Sequence, residues 1–249
     1  MAKYAKWLGG TFGWAFGGPI GALLGFALGT LYDKAGSDVL EWGEPRIDSG
    51  RQTRTTTGDF EASLLILTAA VMKADNAVKK SELEFVKQFL NGQFGPEKAG
   101  QQLLLLREIL KNPIEIRQVS MQIRSFMDHA SRLQLMHYLF QLANADKEIH
   151  GSELDMLTRI ASYMGISKKD FMSIKAMFLV QNDASVYTIL EISQSATDDE
   201  VKKAYRKMAV KYHPDKVSHL GAEHQNAAKE KFQALTEAYE RIKKERGIK

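Results

Sequence analysis

The sequence predicts an all-α protein in three parts: an N-terminal transmembrane helix, a central helical domain and a C-terminal helical hairpin. Three observations predict it. Trp7 to Tyr32 holds no charged residue and is spaced by glycines. Residues 60–180 carry helical periodicity and repeat themselves at an offset of 71. Near the C-terminus, two apolar stripes at i, i+3, i+4, i+7 spacing flank the tripeptide His213-Pro214-Asp215.

The first element, within residues 1–35, is long enough to cross a bilayer. As a helix, Trp7–Tyr32 would measure about 39 Å at ~1.5 Å per residue, against a hydrocarbon core of ~30 Å. Tyr4 and Trp7 at one end and Tyr32 at the other suit the two interfaces. Glycine recurs every fourth residue from Gly9 to Gly29. In water each such glycine weakens a helix by about 1 kcal/mol relative to alanine. In lipid they let two backbones approach closely. The period of four drifts on a straight helix, so the expected contact zone of a homodimer is Gly13, Gly17, Gly21 and Gly25, with Pro19 able to kink the helix inside it. The rival readings are a signal peptide, since Lys3 and Lys6 precede the apolar run, and a glycine-rich hairpin that does not span.

Residues 36–58, rich in Gly, Thr, Arg and Asp, read as a linker. Over residues 59–181 the expected helix starts are Ser81, Pro96, Pro113, Ser131, Ser152 and Ser167. The repeat aligns Ala74-Asp75-Asn76 with Ala145-Asp146-Lys147, and Ser81-Glu82-Leu83 with Ser152-Glu153-Leu154. Each copy is a helix, an acidic turn and a capped helix. Asp75, Glu82, Asp146 and Glu153 are hard oxygen donors that together would suit calcium or magnesium. The plainer reading makes the aspartates turn residues and the glutamates first-turn helix residues. Lys79, Lys80 and Lys147 nearby weigh against a metal.

In residues 185–249, Thr197-Asp198-Asp199-Glu200 is a capping box that starts a helix. Val201, Ala204, Tyr205, Met208, Ala209 and Tyr212 form its buried stripe, and Lys202, Lys203, Arg206, Lys207 and Lys211 its cationic exterior. Pro214 disfavours helical geometry at His213, so the helix ends there and presents His213 and Asp215 on a loop. Ala228, Phe232, Leu235, Ala238, Tyr239 and Ile242 mark a second long helix.

Composition narrows the classes. With 44% apolar and 26% charged residues the chain is an ordinary globular mixture. It has no cysteine, which excludes disulfides and thiolate-bound zinc. Net charge is +4, and the last 65 residues hold 13 Lys/Arg against 10 Asp/Glu. That excess is small and lacks interleaved aromatics, so protein partners fit better than nucleic acid.

The run YRKMAVKYHPDK, with the capping box before it and the second helix after it, resembles the J-domain family, the partners of DnaK-type ATP-driven chaperones. The resemblance implies that Tyr187, Leu190, Tyr205, Met208, Phe232, Leu235, Ala238 and Tyr239 form the domain core. It also implies that His213, Pro214 and Asp215, with Lys202, Lys203, Arg206, Lys207 and Lys211, contact the chaperone. The central repeat resembles the TerB-like helical domains, although both copies lack the usual glycine after aspartate. The order of anchor, TerB-like domain and J-domain is similar to that of membrane-anchored bacterial J-domain co-chaperones. This implies a non-enzyme that activates a partner ATPase, needs no cofactor, and lies in the inner membrane with its N-terminus outside. The competing class is a membrane scaffold or metal-stress sensor working mainly through the TerB-like domain.

Overall fold

A computed structural model describes residues 5–35, 57–75, 78–179 and 183–248, and among these the regular structure is helical. Most of the expected linker, together with Asn76, lies outside the described residues. The order is α1 (Ala5–Ala35), α2 (Thr57–Met72), α3 (Lys80–Ile109), α4 (Ile116–Phe126), α5 (His129–Ala143), α6 (Gly151–Tyr163), α7 (Lys168–Leu179), α8 (Asp183–Ile189), α9 (Asp198–Lys211) and α10 (Ala222–Arg246). A short 3-10 segment, Pro214–Leu220, joins the last two.

The centre of the molecule is the pair α2 and α5, the equivalent first helices of the two repeats. Each is apolar almost all round its circumference, as a helix must be when other helices cover every side. Leu64, Leu65, Ile66, Leu67, Leu133, Leu135, Met136 and Leu139 are all buried. Two hydroxyls enter this core and satisfy each other, Thr68 Oγ1 and Tyr138 Oη at 3.2 Å. An unmatched hydroxyl there would cost about 1–3 kcal/mol.

Helix starts differ from expectation in an instructive way. α3 and α6 begin one residue before Ser81 and Ser152, with Lys79 and His150 as the cap positions. Glutamate, rather than serine, makes the cap: Glu82 accepts from the Lys79 N–H and Glu153 from the His150 N–H, both at 2.9 Å. The repeat thus preserves one carboxylate-to-backbone closure in both copies. At α5 the cap is Asp128, which accepts from the Ser131 N–H, so Ser131 lies inside the first turn. Ser167 does start α7, accepting from the Asp170 N–H. Pro96 does start a helix: the preceding Gly95 leaves helical geometry at φ 77° and ψ 167°, so α3 is two helices joined across a kink, with Pro96 first in the second. Lys147 occupies a left-handed conformation, φ 67°, where the related family has glycine. That strain is of order 1–2 kcal/mol for a side-chain-bearing residue.

α1 is not one straight rod. Gly18 adopts φ 58° and ψ −152°, and with Pro19 it folds the segment back on itself. Four glycines of the ladder approach one another within the chain. A Cβ on Gly13 would overlap the Gly21 carbonyl, and one on Gly9 the Gly25 carbonyl. Gln122 of α4 closes the turn, accepting from the Ile20 N–H at 2.9 Å and donating to the Gly17 carbonyl at 2.6 Å. The second arm buries Ile20, Leu24, Ala27 and Leu31 against the central domain. Among the described residues, no helix is long and apolar enough to cross a membrane.

Candidate functional site

α9 begins as its sequence dictates. Thr197 Oγ1 accepts from the Glu200 N–H at 3.3 Å and Glu200 Oε2 accepts from the Thr197 N–H at 2.8 Å. These bonds hold the exposed Glu200 carboxyl below its ordinary pKa. The buried stripe is Val201, Met208 and Tyr212. Tyr205 stacks on Tyr239 of α10 at 4.2 Å and 8°, which sets the two helices antiparallel with His213 beside Phe232. Tyr187, Leu190, Leu235 and Ala238 are buried as expected, while Tyr205, Phe232 and Tyr239 are half-buried. Arg246 closes the far end of the hairpin, donating to Tyr187 Oη at 3.0 Å and to the Gln194 carbonyl at 2.6 Å.

At the near end, His213 has φ −62° and ψ 130°, the extended geometry that a following proline favours. Its Nδ1 accepts from the Asp215 N–H at 3.3 Å. The same nitrogen lies 3.6 Å from Asp215 Oδ2, so both contacts of the ring fall within the turn. Both side chains are open, His213 at 51% and Asp215 at 85%. Lys203, Arg206 and Lys207 are exposed and Lys202 is half-buried, so α9 offers a cationic face beside the turn.

Lys211 departs from this group. Its ammonium is drawn inward between two carboxylates, Asp170 of α7 and Glu191 of the α8–α9 loop, the latter at 2.8 Å. Asp170 is buried, bonded also to Ser167 Oγ at 2.8 Å and lying 3.5 Å from His129 Nε2. The cation expected to face a partner therefore joins the two domains. The capping pattern Ser167-x-x-Asp170 was readable in sequence; its partner 41 positions on was not.

Further contacts fix the C-terminal hairpin on the central domain. Gln93 donates to the Leu220 carbonyl at 2.7 Å and accepts from the Glu223 N–H at 2.9 Å, satisfying backbone groups at the entry to α10. His224 lies edge-on to Phe60 and Phe89 at 4.5 and 5.0 Å. Lys231 is buried, donating to Gln134 Oε1 at 3.2 Å with its ammonium 4.8 Å from the Tyr212 ring centre. Burial lowers its pKa to about 7.

The four repeat carboxylates do come together, around a lysine. Lys79 Nζ lies 3.7 Å from Asp75, 3.1 Å from Asp146 and 3.0 Å from Glu153. Burial disfavours the charged amine, yet bonds to Glu153 and Asp146 outweigh it and raise the Lys79 pKa. Glu82 faces the same cluster with its Oε2 used by the Lys79 N–H; burial raises its pKa. No group of side chains suited to a metal ion occurs among the described residues. An ammonium sits where a divalent cation would have to sit. Lys79→Met should lower stability by about 3 kcal/mol, because Glu153 is left buried without a cation. Calcium should not raise the thermal midpoint of the wild type, and a rise would show that the lysine yields its place.

An exposed His-Pro-Asp turn ending a cationic helix, braced by an antiparallel partner helix, defines a J-domain protein. Comparison with known families agrees: residues 185–248 match the DnaJ domain, residues 61–176 the family described as tellurite resistance protein TerB, and residues 1–52 the co-chaperone DjlA transmembrane domain. The co-chaperone protein DjlA of Vibrio cholerae is 30% identical over 100% of both chains. That of Photobacterium profundum is 29% identical over 99% of this chain and 100% of its own, and that of Haemophilus influenzae 26% over 100% of both. The chain belongs to the DjlA family of co-chaperones. No solved structure matches it.

Proposed function

We propose that the protein stimulates ATP hydrolysis by a DnaK-type chaperone and directs that chaperone to clients near the bacterial inner membrane. The observation that carries this reading is the exposed His213-Pro214-Asp215 turn beside the open cations of α9. Complementary charge speeds and orients encounter with an acidic surface. The turn then needs only a higher affinity for the hydrolysing conformation of the chaperone to shift its population. The chain activates a partner ATPase and is not itself the enzyme. Purified protein should accelerate chaperone ATP turnover, and the His213→Gln variant should not; equal rates from both would overturn the reading.

The N-terminal segment anchors the chain as a single span with the N-terminus outside and the bulk of the protein in the cytoplasm. The first arm of the folded-back segment, about 20 Å at ~1.5 Å per residue, is shorter than a ~30 Å core. Crossing therefore requires the Gly18–Pro19 turn to open and the Gln122 clasp to release. Opening frees Gly13, Gly17, Gly21 and Gly25 for a second copy, so insertion and homodimerisation are coupled. In a membrane self-association reporter, the double change Gly17→Leu and Gly21→Leu should abolish the signal while insertion persists. Undiminished association would reject the glycine contact.

A further inference from the structure

We infer that the chaperone-docking surface does not end at the J-domain but continues onto the TerB-like domain through Lys169. This rests on the proposed function and adds its second contact. A groove of about 500 Å³ runs between α9, the α8–α9 loop and the start of α7, lined by Lys169, Leu190, Ile192, Lys203, Lys207 and Met208 among others. Lys169, Lys203 and Lys207 are exposed; they act on the groove's acids only by longer-range charge, Lys207 and Lys169 on Glu191 and Lys203 on Glu200. The two acids that also border the groove are already engaged. Glu191 is bonded to Lys211 at 2.8 Å, and Glu200 closes the α9 cap on Thr197. The groove thus offers three exposed cations beside apolar side chains, with none of the three held in a direct hydrogen bond to its two acids.

Its two walls come from different domains, and they are fastened together. Lys211 of α9 is held by Asp170, the neighbour of Lys169. Ser173, also on α7, donates to the Ile189 carbonyl at the end of α8 at 2.7 Å. Glu191 itself takes a left-handed conformation, φ 60°, from which its carboxylate meets Lys211. That conformation costs a non-glycine residue of order 1–2 kcal/mol and is sustained where surrounding contacts over-determine it. The fastening keeps Lys169 on the same groove as Lys203 and Lys207. The occupant is an acidic segment of the DnaK-type chaperone bearing apolar residues, the complement of a cationic groove with apolar walls. The preformed backbone lowers the ordering cost of this contact to that of the lysine side chains.

The test uses the full chain in lipid nanodiscs and titrates it into chaperone ATPase assays. Lys169→Glu should raise the half-saturating concentration by about tenfold, as expected for reversing one contact charge. It should leave the maximal rate unchanged, because the His-Pro-Asp turn is intact. Lys168→Glu is the matched control: it is exposed, changes net charge equally and does not line the groove. A half-saturating concentration for Lys169→Glu equal to that of Lys168→Glu, with His213→Gln inactive, overturns the second contact and leaves the proposed function standing. A wild-type chain that fails to stimulate overturns both.

Discussion

Replacing His213 with glutamine is expected to reduce stimulation of chaperone ATP turnover at least tenfold while leaving the fold intact. His213 is half exposed, and its Nδ1 makes only long contacts to Asp215, 3.3 Å from the backbone N–H and 3.6 Å from the carboxylate. Losing that bond costs the folded state little, of order 0.5–1.5 kcal/mol. The functional loss is larger because the imidazole does two things together. Nδ1 accepts from the Asp215 N–H, and the exposed ring keeps its second nitrogen for a partner. A glutamine amide is longer and flexible, and it cannot hold both roles in that geometry. Circular dichroism and the thermal midpoint of the variant should match the wild type within about 1 kcal/mol. A folded variant that still stimulates fully would remove the turn from the mechanism.

The second large effect is acid sensitivity of the joint between the two domains. His224 is buried against Phe60 and Phe89, and burial lowers its pKa from 6.5 to about 3. The folded state therefore keeps His224 neutral over a range in which the unfolded chain binds a proton. Its contribution is fully present above pH 6.5 and is lost as pH falls through that window toward 3. At pH 5 the loss is about 2 kcal/mol, from 1.36 kcal/mol for each unit below 6.5. His137, fully buried, is depressed for the same reason and adds to the trend. Lys231 acts at the other end: with its folded pKa lowered to about 7, the joint gains stability as pH rises from about 7 toward 10.5. Comparing thermal midpoints at pH 5 and 7.5 for wild type and His224→Phe checks this. The variant keeps an aromatic ring in the same pocket and should lose part of the drop; an identical drop in both proteins would clear His224 of any part in it.

Local chemistry was legible in the sequence. The Thr197–Glu200 box, the stop at Pro214, the antiparallel second helix and the equivalence of Glu82 with Glu153 all rest on groups within a few residues of one another, where backbone hydrogen bonding and side-chain period decide the outcome. The capping serines were less legible. A glutamate at the third helical position can close the same backbone group, and at Lys79 and His150 it did. The glycine ladder showed that two backbones approach closely, but a period of four is the same whether the partner is another copy or the same chain turned at Gly18. The convergence of four carboxylates was also legible, whereas its centre was not. Whether Lys79 or a metal fills it depends on where a flexible side chain lands after two repeats have packed.

The sequence by itself determined an all-α chain with a cationic helix that must stop at His213 and expose the turn. Only the tertiary structure decided which cations remain available. Lys211 shares its helix and its charge with Lys207, and nothing in their spacing separates them. Asp170 and Glu191 separate them, because a buried carboxylate needs a cation far more than an exposed one does. That pairing spends Lys211 on joining the domains and brings Lys169 beside the face that Lys211 has left.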